Sequence, residues 1–137
     1  MRVLIDTNII IDALQNRGDF ARDSEFVVLQ AYEYDGYITA TSVTDIYYIQ
    51  HRYYHDKEKA RKNLEEILKL YDIIDITGID CHSALRNGMN DYEDAIMVES
   101  AKRNGIDCIV TRNTKDFKNS SIAVYTPIEF LKILKSQ

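Results

Sequence analysis

Val3-Leu4-Ile5-Asp6-Thr7-Asn8 opens the chain, and Ile9-Ile10-Ile11-Asp12-Ala13-Leu14 follows at once. An apolar strand runs straight into an acid, two small polar residues turn the chain, and an apolar helix begins. Asp6 is thereby expected where a strand ends and a helix starts, and in an open α/β sheet ligands and active sites collect at that position. Taken alone, the acid is more simply read as a cap on the helix.

The same alternation continues. Strand-like runs fall at residues 2–5, 37–40, 73–76, 108–111 and 122–125, with helical patterns between them. Leu64, Ile67, Leu68 and Tyr71 recur at the spacing of one helix face. Ile96, Met97, Ser100 and Ala101 do the same, and that helix is expected to stop near Asn104-Gly105. Thr126-Pro127-Ile128-Glu129 reads as a capping box with proline at the first helical position, opening a helix that carries Phe130, Leu131 and Leu134. Strands alternating with helices predict a parallel sheet with helices packed on it, and right-handed crossovers put the C-terminal ends of the strands on one edge.

The chain has 137 residues, of which 45% are hydrophobic. That is one domain, residues 1–137, with room for a core. No apolar run is long enough to span a membrane, and the N-terminus does not read as a signal peptide. Cys81 and Cys108 stand in no metal-type spacing and are expected to be free thiols in a reducing cytosol. Cys108, inside an apolar strand, reads as a small core residue. A net charge of −5 argues against a protein that merely coats nucleic acid. An enzyme that cuts nucleic acid through a bound cation is compatible with it.

Following each strand to its end collects acids. Asp6 ends the first. The second, Tyr37-Ile38-Thr39-Ala40, is expected to turn through Thr41-Ser42 into a helix with Asp45 in its first turn. The fourth is followed by Arg112-Asn113-Thr114-Lys115-Asp116. Asp94 opens a helix, Asp91-Tyr92-Glu93-Asp94, that leads back into the fourth strand, so the sequence alone does not put it on that edge. Each acid has a local reading. Ser42 to Asp45 matches a capping box, Asp91 an N-cap with Asp94 favoured by the helix dipole, and Asp116 a turn residue. Capping does not require acids gathered at one edge, however. Clustered carboxylates repel one another and persist when a cation sits among them. An all-oxygen set suits a hard ion, Mg²⁺ or Mn²⁺.

Leu4-Ile5-Asp6-Thr7-Asn8, Ser42-Val43-Thr44-Asp45-Ile46, Asp91-Tyr92-Glu93-Asp94-Ala95 and Ile109-Val110-Thr111-Arg112-Asn113-Thr114-Lys115-Asp116-Phe117, in that order, resemble the PIN-domain ribonucleases. The resemblance implies a three-layer α/β/α, Rossmann-like fold with a five-stranded parallel sheet and a Mg²⁺ or Mn²⁺ site. It also implies endonucleolytic cleavage of single-stranded RNA, leaving a 3′-hydroxyl and a 5′-phosphate. Many members are VapC-type toxins held by a small antitoxin, and the resemblance suggests a homodimer. Matched residue by residue, Asp6, Asp45, Asp94 and Asp116 take the places of the catalytic, metal-holding acids. At the second place toxin members usually carry Glu, so Asp45 is a departure that alters how the metal is held. Thr7, Asn8, Thr111 and Asn113 match groups that orient carboxylates or waters, and Asp91 is an extra acid best read as a cap. Arg112 and Lys115 are placed to meet the RNA backbone, or else are solvated loop charges.

One further stretch carries two weaker signals. Tyr47-Tyr48-Ile49-Gln50-His51-Arg52-Tyr53-Tyr54-His55 mixes rings and basic groups, a pattern that single-stranded RNA can use, although half-buried boundary tyrosines are the simpler reading. His51 and His55 have a zinc-compatible spacing without a third ligand. The reading carried forward is a cytoplasmic, metal-dependent endoribonuclease, with a non-catalytic PIN scaffold as the alternative. A phosphohydrolase using Asp6 as nucleophile is disfavoured because Asn8 stands where such enzymes carry a second Asp.

Overall fold

The computed structural model of the chain describes residues 1–19 and 21–137. Among these the sheet has five strands in the spatial order β3-β2-β1-β4-β5. They are β1 (Arg2–Ile5), β2 (Asp35–Thr39), β3 (Asp72–Ile74), β4 (Cys108–Val110) and β5 (Ala123–Tyr125), and every pairing is parallel. β1 lies at the centre. The chain leaves it toward β2 and β3, then crosses back to lay β4 and β5 on the other side. The order therefore reverses at the β1/β4 boundary, where an open parallel sheet leaves a crevice.

A parallel sheet is covered on both faces, so its strands are apolar throughout rather than alternating. In β1, Val3 and Ile5 pack into one core and Leu4 into the other, and all three are fully buried. The first core takes Ile9, Ile10 and Ile11 of α1 (Thr7–Gln15), Val27 of α2 (Ala21–Leu29), Ile46 of α3 (Ala40–Tyr54), Ile67 of α4 (Lys57–Leu70) and Phe130 of α7 (Pro127–Lys135). The second takes Met97, Val98 and Ala101 of α6 (Tyr92–Arg103), which packs beside α5 (Gly78–Ala84). Helices on either side of one sheet make the three-layer α/β/α sandwich expected from the alternation of elements.

Local signals explain most boundaries. Thr126 and Glu129 form the reciprocal capping box, with Pro127 inside the first turn. α6 stops at Asn104, and Gly105 takes the left-handed conformation (φ 66°) that a side chain disfavours. Cys108 is buried and unpaired, with its thiol pushed up to about 11 by burial. Leu68 departs from its expected place: it lies at the rim of the α4 face, whose buried residues are Ala60 and Ile67. In the tyrosine-rich stretch the rings divide. Tyr47 and Tyr54 are half-buried, whereas Tyr48 and Tyr53 are exposed. His55 is the left-handed C-cap of α3 (φ 54°). No helix is long and apolar enough to cross a membrane among the described residues.

The sheet edge away from the C-terminal strand ends is pinned by side chains. The Arg2 amide donates to Asp107 Oδ2 at 2.8 Å, and the Asp107 amide returns a bond to the Arg2 carbonyl at 2.8 Å. On β2, Gly36 lies beneath two rings whose hydroxyls meet in the core: Tyr34 Oη donates to the Val27 carbonyl at 2.7 Å and lies 2.8 Å from Tyr71 Oη. A methyl group on Gly36 would overlap the Tyr71 ring. Gly36→Ala is therefore expected to lose about 1–3 kcal/mol of stability in urea unfolding. The penalty should shrink when the same change is made in a Tyr71→Ala background, with the Tyr34 ring still close to the added methyl.

Candidate functional site

Asp6 leaves β1 as the N-cap of α1, and its Oδ1 accepts from the Thr7 amide at 2.8 Å. Its backbone amide donates to the Val110 carbonyl at 3.0 Å, the last link between β1 and β4. On the other side of that boundary Thr111, fully buried, donates from Oγ1 to Asp6 Oδ2 at 2.7 Å. Thr111 Oγ1 also accepts from the Asn113 amide at 3.1 Å. Asn8 turns Nδ2 toward Asp6 Oδ2 at 3.4 Å, and its buried Oδ1 has no hydrogen-bond partner among the described residues. Capping and site formation are thus the same act for Asp6.

Asp94 is brought to this crevice by a geometry that the strand-end argument left out. A helix that precedes a parallel strand runs back down the sheet, so its start lies at the edge where strands finish. The far end of α6 leads to Asp107, which is bonded to Arg2 at the opposite edge. Asp91 is the N-cap, as the local reading had it, and its Oδ1 accepts from the Asp94 amide at 2.9 Å. Asp116 lies in a 3₁₀ turn, Thr114–Phe117, that follows β4.

The electrostatics record the convergence. Burial pushes the Asp94 carboxyl up to about 7, with the charges of Asp6, Asp91, Asp116 and Glu93 adding to the shift. Asp6 is also raised, by burial first and in part by Asp116. The Thr111 and Thr7 hydrogen bonds and the Arg112 charge act against that rise.

The second acid sits differently from the sequence expectation. Ser42 does not cap α3. Thr39, the last residue of β2, does so by accepting from the Ser42 amide at 3.2 Å, and the helix starts directly at Ala40. Asp45 therefore lies in the second turn rather than the first. Ser42 instead faces the first helix, its Oγ 2.7 Å from Thr7 Oγ1. Asp45 is linked to the acids through Glu93, whose carboxyl is raised by burial and then by Asp45, Asp91 and Asp6. Glu93 was passed over in the sequence as one more first-turn acid; a shortened Asp at position 45 was the hint that another carboxylate stands nearby.

Asp12 was also missed. It is completely buried on α1, where Oδ2 accepts from Ser24 Oγ at 2.9 Å and meets Arg112 Nε at 2.6 Å. Its signal was a carboxylate on an apolar helix face, which requires a cationic or donor partner. Arg112 is accordingly engaged inside the fold, while Lys115 and Asn113 are exposed on the loop.

The donor chemistry fits a hard divalent cation: carboxylates and an amide oxygen with no thiolate or imidazole among them, mutual repulsion that a cation would relieve, and the orphaned Asn8 Oδ1. Among the described residues, no three His, Cys, Asp or Glu side chains are already drawn together as a ready ligand set. The carboxylates are spread more widely than a closed shell, so water would complete it.

The raised Asp94 pKa has a defined effect on stability. Its ordinary value is 3.8. Between there and about 7 the unfolded chain releases the proton while the folded protein retains it, so the group subtracts stability as pH rises through this window and the loss is complete above it. Asp94→Asn is expected to raise the melting temperature at pH 8 in EDTA, with the gain shrinking toward pH 4.

The comparisons with known proteins agree with this architecture. No curated protein matches the chain. Its fold is shared with a toxin–antitoxin complex from Klebsiella pneumoniae (28% identity over 91% of this chain and 97% of that one, TM-score 0.68). It is shared too with FitAcB from Neisseria gonorrhoeae (20%, 92% and 98%, TM-score 0.73). A third structure is VapC20 of Mycobacterium tuberculosis, a toxin that cleaves the sarcin-ricin loop (16%, 78% and 86%, TM-score 0.59). The family model described as "PIN domain" matches residues 2–115, and the chain belongs to the PIN-domain family.

Proposed function

We propose that the protein is a Mg²⁺- or Mn²⁺-dependent endoribonuclease that hydrolyses phosphodiester bonds of single-stranded RNA, the toxin of a toxin–antitoxin pair. The observation that carries this reading is the crevice at the β1/β4 boundary. Asp6 is held there by Thr111 at 2.7 Å, and the charges of Asp94, Asp116 and Glu93 are left to repel one another. Such a cluster costs stability unless it serves a cation. The toxin–antitoxin complex from K. pneumoniae and VapC20, the toxin that cleaves the sarcin-ricin loop, support this reading.

Asp6 and Asp94 would hold the ion, with Asp116 and Asp45 completing its surroundings through water. When bound, the ion supplies charge neutralisation at the scissile phosphate and a more acidic water for hydrolysis. The chain's own groups keep the carboxylates aimed. Thr111 and Asn8 donate to Asp6 Oδ2, the Thr7 amide donates to Oδ1, and Asp91 fixes the backbone of Asp94. Glu93 lies close enough to Asp45, Asp91 and Asp6 for their charges to raise its carboxyl, which ties Asp45 to the cluster. Lys115, exposed beside Asp116, is the loop cation offered to the RNA backbone.

Cleavage of a single-stranded RNA by the purified protein is expected with Mn²⁺ or Mg²⁺ and not with EDTA. Asp6→Asn and Asp94→Asn should each lower the rate by at least about a hundredfold while far-UV circular dichroism stays unchanged. Undiminished cleavage by both variants would show that it does not depend on these acids and would overturn this reading.

A further inference from the structure

Arg112 follows Thr111 directly, and Thr111 is the residue that grips Asp6. The Arg112 side chain reaches the buried face of α1, where its Nε meets Asp12 Oδ2 at 2.6 Å, while its charge still acts on Asp6. Asp12 sits on α1 six residues after Asp6, roughly 9 Å down the helix at 1.5 Å per residue. Its carboxylate is fully buried and also accepts from Ser24 of α2 at 2.9 Å. Arg17 Nε approaches the other oxygen at 3.9 Å.

One buried acid therefore joins three parts: α1, whose first residue is capped by Asp6; α2; and the loop after β4, which carries Thr111, Asn113 and Asp116. Such a pair resists separation, because pulling the arginine off the fully buried carboxylate would leave a charge uncompensated. What is fixed here is the loop that sets Thr111 against Asp6 and, directly after Thr111's own partner Asn113, begins the turn containing Asp116.

We infer that the buried Asp12–Arg112 pair positions the two halves of the carboxylate crevice, locking the Thr111–Asp116 loop to α1 so that Asp6 and Asp116 face the same cation. Arg112 is thus a positioning residue rather than an RNA contact. The inference rests on the proposed function for the identity of the ion. Groups that support metal-holding side chains typically change affinity by tenfold or more when removed.

The test uses the full chain with Mn²⁺ as the probe. Asp12→Asn, Arg112→Gln and the double variant are compared by Mn²⁺ titration, amide hydrogen exchange over residues 111–117 in EDTA, thermal melting, and the KM and kcat of RNA cleavage. The single variants strand one charge and are expected to melt lower, whereas the double variant removes both charges and regains most of the loss. All three should bind Mn²⁺ about tenfold more weakly and exchange faster over the loop, with kcat at fixed Mn²⁺ falling and KM for RNA holding. A double variant that recovers Mn²⁺ affinity and slow exchange along with its melting temperature would reduce the pair to plain stabilisation and overturn the inference. So would Arg112→Gln raising KM while Asp12→Asn leaves every readout unchanged, the pattern of a direct RNA contact. A wild-type protein that binds no Mn²⁺ would overturn the proposed function itself, while the amide exchange would still decide whether the pair locks the loop.

Discussion

The hydrogen bond from Thr111 Oγ1 to Asp6 Oδ2 is the contact on which the rest of the arrangement turns. It spans the boundary where the sheet changes direction, and both residues are supplied by the ends of strands packed on two faces. A parallel sheet keeps its strand ends level because its backbone bonds are evenly spaced and its faces are both filled. The carboxylate therefore inherits the rigidity of Val3, Leu4 and Ile5 on one strand and of Cys108, Ile109 and Val110 on the other, all of them buried. Loops and helix starts then bring further acids to a point already fixed.

That arrangement opposes the stability of the empty protein. Burial and like charge raise Asp6, Glu93 and Asp94 together, so each withdraws stability when it ionises. The compensation lies elsewhere in the fold: reciprocal caps on α5 and α7, the Arg103 guanidinium bonded to both Asp75 and Asp80, and two apolar cores. Apart from Asp6, which both caps α1 and serves the crevice, function there and stability in the body are carried by different residues.

Strand positions were legible in the sequence because short apolar runs bounded by polar residues have few other fates, and β1 matches its expected bounds. The Thr126 capping box was legible for the same local reason. The start of α3 was misjudged because Ser42 satisfies the capping pattern as well as Thr39 does, and only the end of β2 decides between them. α2 and α5 carry mixed, weakly periodic sequences and escaped notice, although Thr77 and Asp80 form a complete capping box at the start of α5. Asp6 and Asp116 could be assigned to one edge from strand order. Asp94 needed the direction of the helix as well as that of the strand, and Glu93 and Asp12 needed the third dimension: one is a first-turn acid until Asp45 lies opposite it, the other an apolar-helix residue until Arg112 reaches it.

The Arg2–Asp107 bond at the opposite edge has a consequence for the crevice. That bond and the Thr111–Asp6 bond join residues with the same separation in the chain, 105 positions. They are two stops on one ruler, set at the two ends of the β1–β4 pair. Inserting or deleting a residue within either strand would leave one stop or the other unmet, and a one-residue slip would turn Thr111 to the face opposite Asp6. A solvent-facing aspartate far from the acids thus gauges the alignment of the chemistry it never touches.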